Sequence, residues 1–316
     1  MNYKKIPRKQ FLYEISRLYY IDKISQKELS SIYKVSISTI SRVLKEAETL
    51  GIVIIKVNDI LGKKDKLESD LERRFGLKKV LVSQISFNDE DLIKSIIGKS
   101  AASYIGEIIQ NDSTVGIAWG NSLYEMVNYL NPRPLDNMKV VDLIGSMGKV
   151  FSNANASELT RKFAQNFSAR IFFLNSLAMV DNKETKEHLV KEKEIKDVLD
   201  MAKNLDIAII SIGNFSPDSI VFKGLGIEKD VIEDIKSRGA LGDICFRFFD
   251  QYGNKVYTEF DDRIVGIDLD DYKKVKTKIC ISGGISKLIG IRAAIKNKLV
   301  DVLITDSLVA ESLLRN

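Results

Sequence analysis

From residue 78 onward, short apolar runs alternate with stretches of helical periodicity, and this alternation constrains the fold more than any other feature of the chain. The runs fall at 80–82, 114–119, 139–143, 170–174, 207–212, 278–282 and 302–305; helical patterns occupy 90–109, 155–167, 188–203, 228–238 and 286–297. Short apolar strands, each followed by a helix, predict an α/β domain with a mostly parallel sheet covered on both faces. Ligands of such sheets bind beyond the carboxyl ends of the strands, where loops lead into helices.

Three of those junctions carry suitable chemistry. In Gly116-Ile117-Ala118-Trp119-Gly120-Asn121-Ser122, Gly120 permits close approach to the backbone and Ser122 offers a hydroxyl. The helix beginning near Leu123 leaves free N–H groups that favour an anion. The second junction is Ile144-Gly145-Ser146-Met147-Gly148, followed by Asn153-Ala154-Asn155 at another helix start. The third is Ser282-Gly283-Gly284-Ile285-Ser286-Lys287. A cation in a first helical turn opposes the macrodipole, and a bound anion between Lys287 and the amides would explain it. Singly, each glycine is accounted for by a tight turn; three on one sheet edge argue for a site. Between Gly239 and Asn254 lies Asp243, either a turn aspartate or a carboxylate placed to accept sugar hydroxyl hydrogens. A turn there precedes a further strand expected at Lys255–Thr258.

Residues 1–59 read differently. Phe11, Leu12, Ile15, Leu18 and Tyr19 keep helical spacing over 8–20. Ser25-Gln26-Lys27-Glu28 is a capping box that opens a short helix ending near Ile32-Tyr33. Lys34-Val35 then turns, and Ser36 caps a third helix through Lys45. Two short helices of this spacing, the second opened by small hydroxyl residues, form a helix-turn-helix unit. Ser36, Ser38, Thr39 and Ser41 permit close approach to bases and phosphates; Arg42 and Lys45 add charge one turn later. With Gln26, these are the expected DNA-contacting residues. Gly51 stops the helix, and Ile52 to Val57 is read as the wing. Charge agrees: residues 1–60 hold 11 Lys and Arg against 6 Asp and Glu, and the rest of the chain holds 37 of each. The whole formal excess of +5 thus sits where a polyanion is expected to bind. A three-helix bundle docked on the larger domain is the alternative.

Residues 60–77 place Leu67, Leu71 and Phe75 on one stripe of a charge-dense linker helix, either a dimer contact or a helix packed on its own domain. Residues 78–316 complete the chain as the α/β domain, expected to bind a ligand at those junctions and to carry an oligomer contact. The apolar and charged fractions, 45% and 29%, are those of an ordinary soluble protein. No apolar stretch is long enough for a membrane span and no signal peptide is expected, so a cytoplasmic location is. Cys245 and Cys280 have no metal-ligand spacing and are expected as buried thiols. His188 is the single histidine and sits in a charged helix start. Neither a cofactor nor a metal site is expected.

Arg17-Leu18-Tyr19-Tyr20, Ser25 to Leu29 and Ser38 to Ala47 resemble the DNA-binding domain of the SorC family of bacterial sugar-responsive transcriptional regulators. The likeness continues through Val115 to Gly120, Gly242 to Asp250, Asp262 to Ile267, Ser282-Gly283-Gly284 and Val302 to Asp306. The resemblance implies a winged helix-turn-helix followed by a Rossmann-like αβα effector domain related to sugar-phosphate isomerases. It also implies homodimers or homotetramers on palindromic double-stranded operators, controlled by a sugar phosphate. By the same resemblance Gly120, Asn121, Ser122 and Lys287 hold the phosphate, and Asn153, Asn155 and Asp243 face the sugar, beside Gly145 and Ser146. Some members carry Lys or Arg where this chain has Ile144, which argues against a Schiff-base effector or a bisphosphate unless Arg161 or Arg247 substitutes. The competing reading is a sugar-phosphate isomerase or deaminase with an accessory DNA-binding domain. It needs a placed general base, for which His188 is poorly suited and Asp243 is the remaining candidate. A repressor indifferent to metabolites would leave the glycine-rich loops unexplained.

Overall fold

In a computed structural model of the chain, the described residues are 6–53, 55, 62–146, 156–215, 219, 222 and 227–315. They divide into two compact units, Met1–Ile60 and Leu61–Asn316. The first unit holds α1 (Arg8–Ser16), prolonged by a π-helical turn over Arg17–Ile21, then α2 (Gln26–Tyr33) and α3 (Ile37–Thr49). Ser25 caps α2 in the expected box: its hydroxyl accepts from the Glu28 amide, while Glu28 accepts from the Ser25 amide at 2.9 Å. Lys34 closes α2 in the left-handed region, and Ser36 caps α3 by accepting from the Thr39 amide at 3.1 Å. Phe11, Leu12, Ile15, Leu29, Tyr33, Ile40, Val43, Leu44 and Ala47 make a separate core. Gly51, at φ +69°, ends α3, and the Ile52 amide returns to the Ala47 carbonyl. Of the run read as a wing, Ile52 and Val53 thus belong to the turn that closes α3, and Ile54, Lys56 and Val57 lie outside the described residues.

The second unit opens with α4 (Lys63–Phe75), β1 (Lys79–Ser83), α5 (Glu90–Ile108), β2 (Thr114–Ile117), α6 (Asn121–Tyr129) and β3 (Lys139–Asp142). It continues through α7 (Ala156–Phe167), β4 (Arg170–Phe172), α8 (Lys183–Leu189), α9 (Lys193–Ala202), β5 (Ile207–Ile210) and α10 (Lys229–Ser237). A hairpin follows, β6 (Gly242–Ile244) and β7 (Arg247–Phe249), then α11 (Leu269–Lys273), β8 (Thr277–Ile281), α12 (Leu288–Lys296), β9 (Val302–Asp306) and α13 (Ser307–Arg315). Seven strands form one parallel sheet in the order β1-β9-β8-β5-β2-β3-β4. The central strands β5 and β9 are buried at every position, whereas the edge strands β1 and β4 are only partly covered. That is why central strands read as unbroken apolar runs.

From β2 the chain steps outward to β3 and β4, and from β5 it steps the other way to β8 and β9. Right-handed crossovers therefore put α5, α6 and α7 on one face and the later helices on the other. The reversal falls between β2 and β5, so a crevice opens beyond their carboxyl ends.

Some expectations change in detail. The 188–203 interval holds parts of two helices, because the chain turns at Val190 to Glu192. Lys255–Thr258 forms only a single bridge to Phe249, since Thr258 is committed to capping the 3₁₀ turn Glu259–Asp262. Helix α4 packs on its own unit, with Leu71 in the core and Leu67 and Phe75 against it. Both cysteines are buried and unbridged. Among the described residues no helix is long and apolar enough to cross a membrane.

Candidate functional site

A cavity of about 420 Å³ occupies the crevice at the switch point, a size suited to a small metabolite. Residues following β2, β5 and β8 line it, and the β6–β7 hairpin closes one side. Of the residues expected from sequence, Gly120, Asn121, Ser122, Asp243 and Lys287 meet there. Gly145 and Ser146 are not in the lining. Their backbones are engaged instead, the Gly145 amide with the Val265 carbonyl at 3.1 Å and the Ser146 amide with the Ser176 carbonyl at 2.9 Å. A methyl on Gly145 would come within 2.6 Å of the Ser176 carbonyl, so this glycine is accounted for by close backbone packing. Ile144, next to it, does face the cavity. Asn153 and Asn155 lie outside the described residues.

Each surviving residue is positioned by local structure. Gly120 precedes α6 at φ +152°, a conformation reserved for glycine, and no side chain caps the helix. The first amides of α6 are consequently left for another acceptor. Lys287 ends a 3₁₀ turn, Ile285–Lys287, and its Nζ reaches Ser211 Oγ at 3.5 Å. Among the described residues it has no carboxylate within ion-pair distance, and burial lowers its pKa. The preceding Gly283-Gly284 is held by Asp306, whose Oδ2 accepts from the Gly284 amide at 2.7 Å. A methyl on Gly283 would sit 2.6 Å from that oxygen.

Asp243 enters from β6. Its Oδ2 accepts from the Phe246 amide at 3.1 Å, and its Oδ1 packs so tightly on Gly213 that a methyl there would lie 1.9 Å away. Burial pushes its carboxyl up to about 6, against the smaller opposing effects of the Phe246 hydrogen bond and of Lys287. The two hairpin-turn residues, Cys245 and Phe246, both have positive φ, +51° and +62°, the geometry of a tight type I′ turn. Phe246 is fixed by its ring contact with Trp119, 5.5 Å between centroids.

Sequence reading missed Ser211, Asn214, Ser286, Glu90 and Lys94, all in the lining. The run Ser211-Ile212-Gly213-Asn214 following β5 had the same signature as the three junctions singled out. Arg247 is not available as a substitute cation: it is buried and bound to Asp261 Oδ1 at 3.0 Å and to the Ile267 carbonyl. Arg161 instead lies over the Phe173 ring. His188 is exposed on α8 and does not line the cavity.

On α3, Ser38, Ser41, Arg42 and Lys45 fall at i, i+3, i+4 and i+7 and are exposed, while Ile40, Val43, Leu44 and Ala47 are buried. Thr39 and Gln26 are partly exposed; Ser36 is exposed but occupied as the cap. Ile37, half exposed at the start of the same helix, adds an apolar group of the kind that packs on a thymine methyl.

Residues 60–315 match the family model Sugar-bind, described as "Putative sugar-binding domain". The deoxyribonucleoside regulator of Bacillus subtilis is 29% identical over 309 residues, 98% of each chain. The sorbitol operon regulator of Klebsiella pneumoniae is 26% identical over 308 residues, 97% of this chain and 98% of its own. The full-length crystal structure of that regulator, SorC, superposes with a TM-score of 0.80 at 25% identity, covering 98% of this chain and 100% of SorC. A family match over the whole second unit, joined to full-length likeness across both units, settles the kinship: the chain belongs to the SorC family of sugar-binding transcriptional regulators.

Proposed function

We propose that this chain is a cytoplasmic transcriptional regulator that binds operator DNA through α3 and is controlled by a phosphorylated sugar held in the switch-point cavity. One observation carries the effector assignment. The uncapped start of α6 and Lys287, which among the described residues has no carboxylate within ion-pair distance, converge on one cavity, with the buried Asp243 in the same lining to accept from hydroxyls. Together they complement a small molecule with an anionic end and a polyol body. The deoxyribonucleoside and sorbitol regulators, named for polyhydroxylated small molecules, support the polyol part of this reading. A binding rather than catalytic role is supported by the relatives, which are named as regulators. A single helix-turn-helix reads one half-site, so the regulator is a homodimer or homotetramer on a palindromic operator.

The test is a thermal-shift screen of the full chain against sugars and their phosphates, followed by operator titration with each hit. A phosphorylated compound should raise Tm and change operator affinity, whereas its unphosphorylated form should do neither. Equal responses to the two forms would defeat the phosphate assignment.

A further inference from the structure

Glu90, in the first turn of α5, faces the cavity where an anion is expected. Its Oε1 accepts from Ser286 Oγ at 2.8 Å, and Ser286 in turn accepts from Asn214 Nδ2 at 3.1 Å. Lys94, one turn along α5 and also in the lining, lies 4.0 Å from Glu90 Oε2 and 2.9 Å from Asp91 Oδ1. An i, i+4 pair on a helix surface is an ordinary source of slight helix stability, but it does not account for Ser286. That hydroxyl comes from the turn after β8, is oriented by the Asn214 amide from the loop after β5, and donates to the Glu90 carboxylate. A hydroxyl and an ammonium converging on carboxylate oxygens is also the donor set that a phosphate oxygen takes. The set sits in the same cavity as Lys287, itself adjacent to Ser286.

We propose that Glu90 is a built-in counter-anion, displaced when a phosphate-bearing ligand enters, and that Ser286 then passes from Glu90, and Lys94 from Asp91 and Glu90, to the ligand. This rests on the phosphate reading of the cavity and adds Lys94 and Ser286 as ligand-binding residues and Glu90 as an internal competitor. It restricts the ligand class: two lysines, one uncapped helix start and a displaceable carboxylate suit one terminal phosphate monoester. An unphosphorylated sugar has no anionic oxygen to replace the Glu90 carboxylate.

The sign of one substitution separates this from a passive surface pair. Inorganic phosphate serves as probe, with Kd measured calorimetrically on the full chain at low ionic strength and neutral pH. Lys94→Gln should weaken binding roughly tenfold, the loss of one charge-assisted contact. Glu90→Gln should tighten it roughly threefold or more, since a like charge and a competitor for Lys94 are both removed. Both side chains are solvent-accessible at the cavity rim, and unchanged urea midpoints will show that the variants fold. If Lys287→Gln loses phosphate but Glu90→Gln binds no more tightly than wild type, or Lys94→Gln binds as well, the displacement is overturned and the phosphate pocket stands. If the wild type takes up no phosphate at tens of millimolar while Glu90→Gln also takes up none, both readings fall.

Discussion

At the residue scale, Asp243 shows what a polar pocket costs the fold. Its carboxyl titrates near 6 in the folded chain because burial outweighs its one backbone hydrogen bond, against about 3.9 when unfolded. A group raised in this way contributes stability that is fully present below about 4 and lost as pH climbs through about 6. Above that, the ionised carboxylate weakens the folded state by on the order of 2–3 kcal/mol relative to its protonated form. Asp243→Asn keeps an acceptor for the Phe246 amide and never ionises. Urea unfolding of the variant should therefore show at least ~1 kcal/mol more stability than wild type at pH 7. The advantage should shrink toward pH 4, while the response to effector is lost. A difference between the two proteins that does not change between pH 4 and 7 would refute the assignment of cost to this carboxylate.

At the scale of elements, the two sheet edges are treated differently. Strand β1 is an edge, yet its Val80 and Val82 amides donate to Glu72 and Glu68 of α4 at 2.9 and 2.8 Å. Carboxylates on the packed helix thus stand in for a missing neighbouring strand. The predicted consequence is that Glu68→Ala, which strips a buried amide of its acceptor, costs about 1–3 kcal/mol. Glu68→Ala/Glu72→Ala should add self-association visible by light scattering. An unshifted urea midpoint for the single variant would show that the helix is merely adjacent. Much at this scale was legible in sequence. All seven sheet strands were found because the central ones, buried on both faces, read as apolar runs and the partly covered edges β1 and β4 still carry short apolar stretches, and Ser25 and Ser36 declared two helix starts. The hairpin was not legible, because its turn uses Cys245 and Phe246 where Asn and Gly would have announced it. Their strained backbone is compensated by burial, Phe246 against Trp119, a tertiary effect that local chemistry does not foretell. Glu90 and Lys94 escaped notice for a related reason: only the long crossover from β1 over three strands to β2 brings the start of α5 to the β8 loop.

At the scale of the whole molecule, the division of charge and the division into units coincide, since the +5 excess lies within the first 60 residues and the cavity belongs wholly to the second unit. Binding DNA and binding effector are therefore separable by mutation even though regulation requires them to be coupled. A ligand shifts an operator-binding equilibrium only by its differential affinity for the DNA-competent and incompetent states. Arg42→Ala removes an exposed cation from the α3 face without touching the cavity. It should weaken operator binding and reduce the slope of log affinity against log salt by about one for a phosphate contact, with the effector's midpoint unchanged. Lys287→Ala should do the reverse. Operator affinity of the free protein should stay within about twofold, whereas the effector concentration needed for half-response should rise by roughly ten- to a hundredfold for a lost charge-assisted contact. Fluorescence-anisotropy titrations of both variants, across salt and effector concentrations, give the two readouts independently. If Lys287→Ala alters free operator affinity as much as Arg42→Ala does, the cavity lysine is serving the folded state of the DNA-binding form rather than the ligand, and the separation of roles fails.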